Sequence, residues 1–439
     1  YIIMSIVTFG HCNSALEWGS SCRMIETAFN NYRELLSSFM IELNAITCRM
    51  TEIEYEYGDV RRIQLRNVHD KFRNMVSLVP FLWEKNEVLL RELINPISNL
   101  QLVYGIVDEL KSNKDIDPVY KSFKTTDGEC SQNFFSGSYN ALDQVLVHLS
   151  RDWSEAGKAV RHELYINGII RTVALYFDSP LPQNQTVQTN IGMALVPGAA
   201  LGRLAVELAG RGFRVELNEV SACMVCAFHG IMNLLRSGNA SREVYPQLDF
   251  LLSDDWDFAA RLEPHSLPFI ADSAELTQAF SNASDADRLL SRLSVQLGDF
   301  QAVYSPANSL DHAARFDLVV TCFFLDATED ILAVLSTIHH ILRPGGLWVN
   351  AGPLHYHHYL RHRSNFHKKY HQQYQKPPRT VPYSYAQLLE VIAAMGFDYI
   401  EIEGSQQQPI AVSYCGEDVN SMKPETYRVP VAAFRRRDE

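Results

Sequence analysis

Residues able to bind a ligand and react with it gather in the middle of the chain. The turn Pro197-Gly198-Ala199-Ala200-Leu201-Gly202-Arg203 follows the apolar run Met193-Ala194-Leu195-Val196 and leads into Leu204-Ala205-Val206-Glu207-Leu208-Ala209, whose apolar spacing is helical. Glycine has no Cβ, so Gly198 and Gly202 tolerate positive φ and let the backbone press a ligand against the first amides of the helix. A second short run, Phe213-Arg214-Val215-Glu216-Leu217, then delivers Glu219. A carboxylate at the end of a strand beside such a turn can accept both hydroxyls of a ribose. Tight strand-to-helix turns also arise for packing reasons alone, so the turn needs the rest of the chain to support it.

The elements that must position these groups are legible downstream. Val295-Gln296-Leu297-Gly298-Asp299-Phe300 is a strand ending in a turn, and Phe316 to Phe324 is almost continuously apolar, as expected of a central parallel strand covered on both faces. A helix from about Glu329 to Leu342 is expected next, closed by Pro344-Gly345-Gly346, with a further strand at Leu347-Trp348-Val349-Asn350. The alternation of strands and helices predicts an α/β, Rossmann-like sheet. Open sheets of this kind bind ligands beyond the carboxyl ends of their strands, which puts the ligand beside Gly198 and Glu219.

The order of these pieces resembles class I S-adenosylmethionine-dependent methyltransferases. Pro197-Gly198-Ala199-Ala200-Leu201-Gly202-Arg203-Leu204 with Asn218-Glu219 is similar to the carnosine N-methyltransferase family. Further matches are Arg151-Asp152-Trp153-Ser154 with Gly157-Lys158, Gly298-Asp299-Phe300, Thr321-Cys322-Phe323-Phe324-Leu325-Asp326, and Gly352-Pro353-Leu354 followed by Tyr356-His357. The resemblance covers roughly Val145 to Arg436. It implies S-adenosyl-L-methionine as cofactor, with Arg151 meeting its carboxylate, Gly198 at the turn, Glu219 on the ribose, Asp299 on the adenine amino group, Phe300 beside the adenine and Cys322 at the strand end. Two positions depart from the family pattern: His148 replaces a common glutamine, and Ala200 a common glycine.

The resemblance also implies an imidazole substrate, in carnosine or a related histidine-containing peptide. Only the neutral ring has a nitrogen able to attack a methyl group, and the product ring carries positive charge until it sheds a proton. A carboxylate on the ring's other N–H fixes the tautomer and stabilises that charge as it develops. Asp326 is the candidate for this role; with Ala327-Thr328-Glu329-Asp330 after it, Asp326 reads equally well as a helix N-cap. His357 and Tyr427 match substrate-contacting positions of the family, so Asp326 and His357 form the expected catalytic pair and Tyr427 a further substrate contact. A protein-histidine methyltransferase, or a non-catalytic scaffold that has lost the cofactor through Ala200 and His148, are the competing readings.

Length and composition bound the rest. With 439 residues, 46% of them hydrophobic, the chain has ample core material. Its 39 basic and 51 acidic residues give a net charge of -12, which argues against nucleic acid or an anionic membrane as partner and for a small molecule or peptide. No apolar run is long enough to span a bilayer, and the opening Tyr1-Ile2-Ile3-Met4 lacks a basic start, so no export signal is expected. Eight scattered cysteines fit a reducing compartment, the cytosol with or without the nucleus. Cys223 and Cys226 have metal-like spacing but no second pair, and they fall in the apolar helix expected after Glu219; no metal site is expected.

Three divisions are expected: an N-terminal segment 1–22 whose truncation should be harmless, an all-helical extension 23–140, and a methyltransferase domain 141–439. Residues 113–137 read as a linker, with the chemistry beginning after it. Exposed apolar faces on the extension would point to a homodimer. A long insertion rich in Ser, Asp and Pro lies between Ser237 and Leu293, and its Glu263-Pro264-His265-Ser266-Leu267-Pro268 reads either as a wall of the site or as surface loop. The histidines from His355 to His371 are irregularly spaced among cations and read as a solvated insertion.

Overall fold

The computed structural model describes residues 15–94, 141–177, 192–238, 241–246, 248, 256–308, 310–357, 381–405, 408–414, 420–422 and 425–438. The expected linker at 113–137 and the histidines beyond His357 in the tract lie outside them. The N-terminal region is a hairpin of two long helices, α1 (Ala15–Glu56) and α2 (Asp59–Leu93), followed by α3 (Ala141–Trp153). Buried Ile25, Phe29, Tyr32, Phe39 and Leu43 recur at steps of three, four and seven residues along one face of α1. There Tyr32 stacks on Trp83 with ring centroids 4.9 Å apart. No helix among the described residues is long and apolar enough to cross a membrane.

The strands are β1 (Met193–Pro197), β2 (Arg214–Glu219), β3 (Arg242–Val244), β4 (His265–Leu267), β5 (Leu293–Leu297), β6 (Phe316–Cys322), β7 (Leu342–Ala351), β8 (Phe397–Ile400), β9 (Ile410–Val412), β10 (Tyr427–Val429) and β11 (Val431–Arg436). The main sheet has the order β5-β2-β1-β6-β7-β11-β8. Its first five members run parallel, while β11 is antiparallel to both of its neighbours. This is the Rossmann-like α/β arrangement expected from the sequence. Chain order reverses between β1 and β6, so a crevice opens there at the carboxyl edge. Strand β6 is buried along almost its whole length, as its apolar run requires.

One junction differs from expectation. The helix Ile331–Ile341 is capped by Asp330, whose carboxylate accepts the Ala333 N–H at 3.1 Å, and passes directly into β7. Pairing then jumps from Phe316 with Leu342 to Leu318 with Leu347. Arg343 to Gly346 are therefore extra residues bulged out of β7, with Gly345 at φ 71, rather than the loop that closes the helix.

The helical hairpin shares the core of the sheet domain. One cluster of buried side chains runs from Phe29 and Tyr32 of α1 through Leu142 and Leu149 of α3 to Val196 of β1 and Phe228 of the helix Ala222–Ser237. In that helix burial pushes the His229 imidazole from an ordinary 6.5 down to about 4. Between those values the unfolded chain takes up a proton that the folded chain refuses, so stability falls as pH drops through this window, by about 3 kcal/mol at most. His229→Gln is expected to flatten that loss when the thermal midpoint is followed against pH. An unaltered slope in the variant would contradict it.

Candidate active site

The carboxyl ends of β5, β2, β1 and β6 are neighbours in the sheet and deliver Asp299, Glu219, Gly198 and Cys322 in that order. All four line one cavity of about 830 Å³, and Arg151 from α3 lines it too. Glu219 is fixed from both sides: its carboxylate accepts the N–H of Ala200 at 2.9 Å and of Ser221 at 2.9 Å. Burial raises its pKa, and those backbone N–H groups oppose the rise. A half-buried acid held by its own turn is built to accept hydrogen bonds from a ligand.

Gly198 sits at φ 61, where a Cβ would lie 2.7 Å from the Phe324 ring. The second glycine of the turn answers to packing instead. Gly202 does not line the cavity, and its missing Cβ makes room for Phe228 and Leu217. Ala200 stands at φ 48, a left-handed conformation that costs a residue with a Cβ about 1–2 kcal/mol. Ala200→Gly is expected to raise the thermal midpoint by about 1–3 °C. A lower midpoint would mean that the alanine methyl contributes packing that outweighs the strain.

Arg151 is buried, paired not at the surface but with its neighbour Asp152, through Nε at 2.8 Å and Nη2 at 3.0 Å. Nη2 also meets His148 Nδ1 at 2.8 Å, and the guanidinium lies over the Tyr414 ring at 4.7 Å. Among the described residues no acceptor meets Nη1, so one donor of the fork remains for an anion. Burial alone would lower the arginine's pKa, but Asp152, Tyr165 and Tyr414 take it well above the usual value. Burial and then the adjoining Arg151 lower the His148 pKa, against the opposing pull of Asp152.

Asp326 is not the helix cap; Asp330 has that role. Asp326 is buried in a short turn past β6, where its Oδ2 accepts the His355 N–H at 2.9 Å and its own backbone N–H also serves the carboxylate. Burial raises its pKa, against the opposing pull of the His355 N–H and of His357. It lies outside the walls of the main cavity, yet its charge is felt at Cys322, which lines them. His357 is exposed, with its ring 4.8 Å from that of His355.

Two expected contacts sit further back. Phe300 is buried in the core, its ring 5.5 Å from Phe324, while the adjoining Asp299 faces the cavity and caps the helix Phe300–Tyr304 by accepting the Ala302 N–H. Tyr427 opens β10 and packs edge-on against Phe323 at 6.0 Å, without reaching the cavity wall.

Several lining residues had no signal that singled them out. Phe323 carries a strained φ of 50 at the end of β6, pinned by its N–H to Ala351 O at 2.8 Å and by edge contact with Tyr414 at 5.0 Å. Chemistry also does not wait until after the linker: Met24, Thr27, Ala28 and Asn31 of α1 line the same cavity, because α1 packs beside α3 and the helix Ala222–Ser237 at the carboxyl edge. Polar Thr27 and Asn31, one turn apart beside an apolar stripe, are the trace of this in the sequence. None of residues 263–268 lines the cavity; His265 and its neighbours pair as β4 with β3 and hold Ser150 of α3.

Comparison with known proteins agrees with this geometry. A family model for carnosine N-methyltransferase matches residues 132–438. The chain is similar to the carnosine N-methyltransferase of Mus musculus, 30% identical over 64% of this chain and 60% of that protein. It is similar also to that of Schizosaccharomyces pombe, 31% identical over 59% of this chain and 62% of that protein. The match thus spans about 60% of the length of these curated relatives. Among solved structures, the Haemonchus contortus phosphoethanolamine N-methyltransferase 2 in complex with S-adenosyl-L-methionine is 13% identical, covering 58% of this chain and 45% of that chain at a TM-score of 0.28. A SAM dependent methyltransferase from Aquifex aeolicus is 10% identical, covering 56% and 81% at 0.27. Scores that low add nothing to what the site itself says. With the family model matched over residues 132–438, well over half its length, the chain belongs to the carnosine N-methyltransferase family.

Proposed function

We propose that the chain is an S-adenosylmethionine-dependent N-methyltransferase acting on the imidazole of carnosine or a related histidine-containing peptide. The observation that carries this is the meeting of Gly198, Glu219, Asp299, Cys322 and Arg151 round one cavity at the switch point of the sheet. The donor set fits the cofactor: a half-buried acid for the ribose hydroxyls, a second acid for the adenine amino group, and an unmet guanidinium N–H for the carboxylate. Phe300, packed behind Asp299, would back the adenine rather than cover it. When bound, S-adenosylmethionine supplies an electrophilic methyl group on a sulfonium.

The chain's own residues then have to orient a neutral imidazole and receive its charge. Asp326, whose carboxylate already holds the His355 N–H, would accept the ring N–H opposite the attacking nitrogen through a further lone pair. His357 and Tyr427 would border the substrate. Exposed Ile41, Val60, Ile63 and Val68 on the helical hairpin support a homodimer built through it.

Incubation of the purified protein with methyl-labelled cofactor and either carnosine, histidine peptides or a protein substrate tests the assignment. Label on carnosine or the short peptides is expected. Transfer only to protein would move the substrate class. No transfer despite normal binding of S-adenosylhomocysteine would end the enzyme assignment.

A further inference from the structure

Helix α3 ends at Trp153, and the carbonyls of its last turn have no partner within the helix. All four find donors elsewhere. Ser150 O accepts Ser154 Oγ–H at 2.7 Å, Arg151 O accepts Arg161 Nη1–H at 2.5 Å, Asp152 O accepts Arg203 Nη1–H at 3.1 Å, and Trp153 O accepts the Phe269 N–H at 2.7 Å. The chain also turns back so tightly that a Cβ on Gly157 would lie 1.8 Å from Arg151 O.

Two of those donors are buried guanidiniums, each with its side chain only 1% exposed, and like charges held that close out of water need an acid between them. Asp272 supplies it. Its Oδ2 accepts Arg161 Nε–H at 2.7 Å and its Oδ1 accepts Arg203 Nη2–H at 2.9 Å. Glu207 takes the remaining Nε–H of Arg203 at 2.8 Å and is itself held by Ser273 Oγ–H at 2.7 Å. Phe269, Asp272 and Ser273 all come from the long insertion between Ser237 and Leu293, a segment that an α/β unit does not need for its fold.

We infer that Asp272 is a positioning residue: through Arg161 and Arg203 it sets the end of α3, so that Arg151 keeps its place in the cavity wall. The inference rests on the cofactor assignment above, with Arg151 as the carboxylate contact. The insertion then serves the site from behind, as a clamp on the segment that touches the ligand.

Arg161→Lys separates positioning from bulk stability, because lysine keeps a charge opposite Asp272 but lacks the fork whose Nε and Nη1 reach Asp272 and Arg151 O from separate atoms. Asp272→Glu is the second variant: it keeps the charge and shifts the carboxylate. S-adenosylhomocysteine is titrated into the wild-type protein and both variants, with thermal midpoints and steady-state kinetics alongside. In Arg161→Lys the Kd for S-adenosylhomocysteine and the KM for S-adenosylmethionine are expected to rise about tenfold, while the KM for carnosine stays within about twofold. The thermal midpoint should move by less than about 3 °C. Asp272→Glu should show the same split at a smaller size. Wild-type affinity in either folded variant, or equal weakening of cofactor and carnosine, would overturn the inference. A wild-type protein that binds no S-adenosylhomocysteine would remove the cofactor assignment itself, and the inference with it.

Discussion

Asp326→Asn is expected to lower kcat for carnosine methylation by about two to three orders of magnitude while leaving the Kd for S-adenosylhomocysteine within about threefold. The asymmetry follows from where the residue sits. Asp326 is buried past the end of β6, its carboxylate bonded to the His355 N–H, and it stands outside the cavity walls that would enclose an adenosyl group. Asparagine keeps the shape but lacks the negative charge that stabilises an imidazolium. The change therefore acts on charge that develops during the reaction and hardly on the ground state. Equal losses in turnover and cofactor affinity would mean that Asp326 holds the fold of the strand end and does not face the reacting ring.

The opposite split is expected at Glu219. Glu219→Ala should raise the Kd for S-adenosylhomocysteine by about a hundredfold or more, since two hydrogen bonds to a charged acceptor are each worth about 1.5–3 kcal/mol. The same substitution strips the Ala200 and Ser221 N–H groups of their acceptor, which loosens the turn that carries Gly198. Glu219→Gln removes the charge but keeps one acceptor: Ala200 and Ser221 bond different carboxylate oxygens, so the amide oxygen can hold only one of the two N–H groups. It is expected to lose about tenfold in affinity. Isothermal titration checks both, and an unchanged Kd in Glu219→Ala would place the ribose elsewhere.

Much of the sheet was legible because its signals are local. The apolar run through β6 marks a buried strand by itself, the turn after β1 gained its meaning from the strands that follow it, and Glu219 followed from its place at the end of the second strand. The bulge in β7 was not legible: Pro344-Gly345-Gly346 serves a loop and a bulge equally well, and only pairing with β6 decides between them. Asp326 and Asp330 are four residues apart and both suit a cap, so the choice waited on where the helix starts. The clamp at Asp272 depends on contacts between segments far apart in the chain, which no periodicity records, and of the cavity face of α1 the sequence keeps only Thr27 and Asn31 beside the apolar stripe. Phe300 was reached by resemblance to a family, which carries a position but not the direction of its ring.

The most direct measurement of the central claim is a crystal structure of the protein with S-adenosylhomocysteine and carnosine bound together. The ribose hydroxyls should bond Glu219, an imidazole nitrogen should lie about 3–4 Å from where the departing methyl would stand, and the ring's other N–H should point to Asp326. An adenosyl group outside the cavity between β1, β2, β5 and β6, or an imidazole turned away from Asp326, would contradict the account.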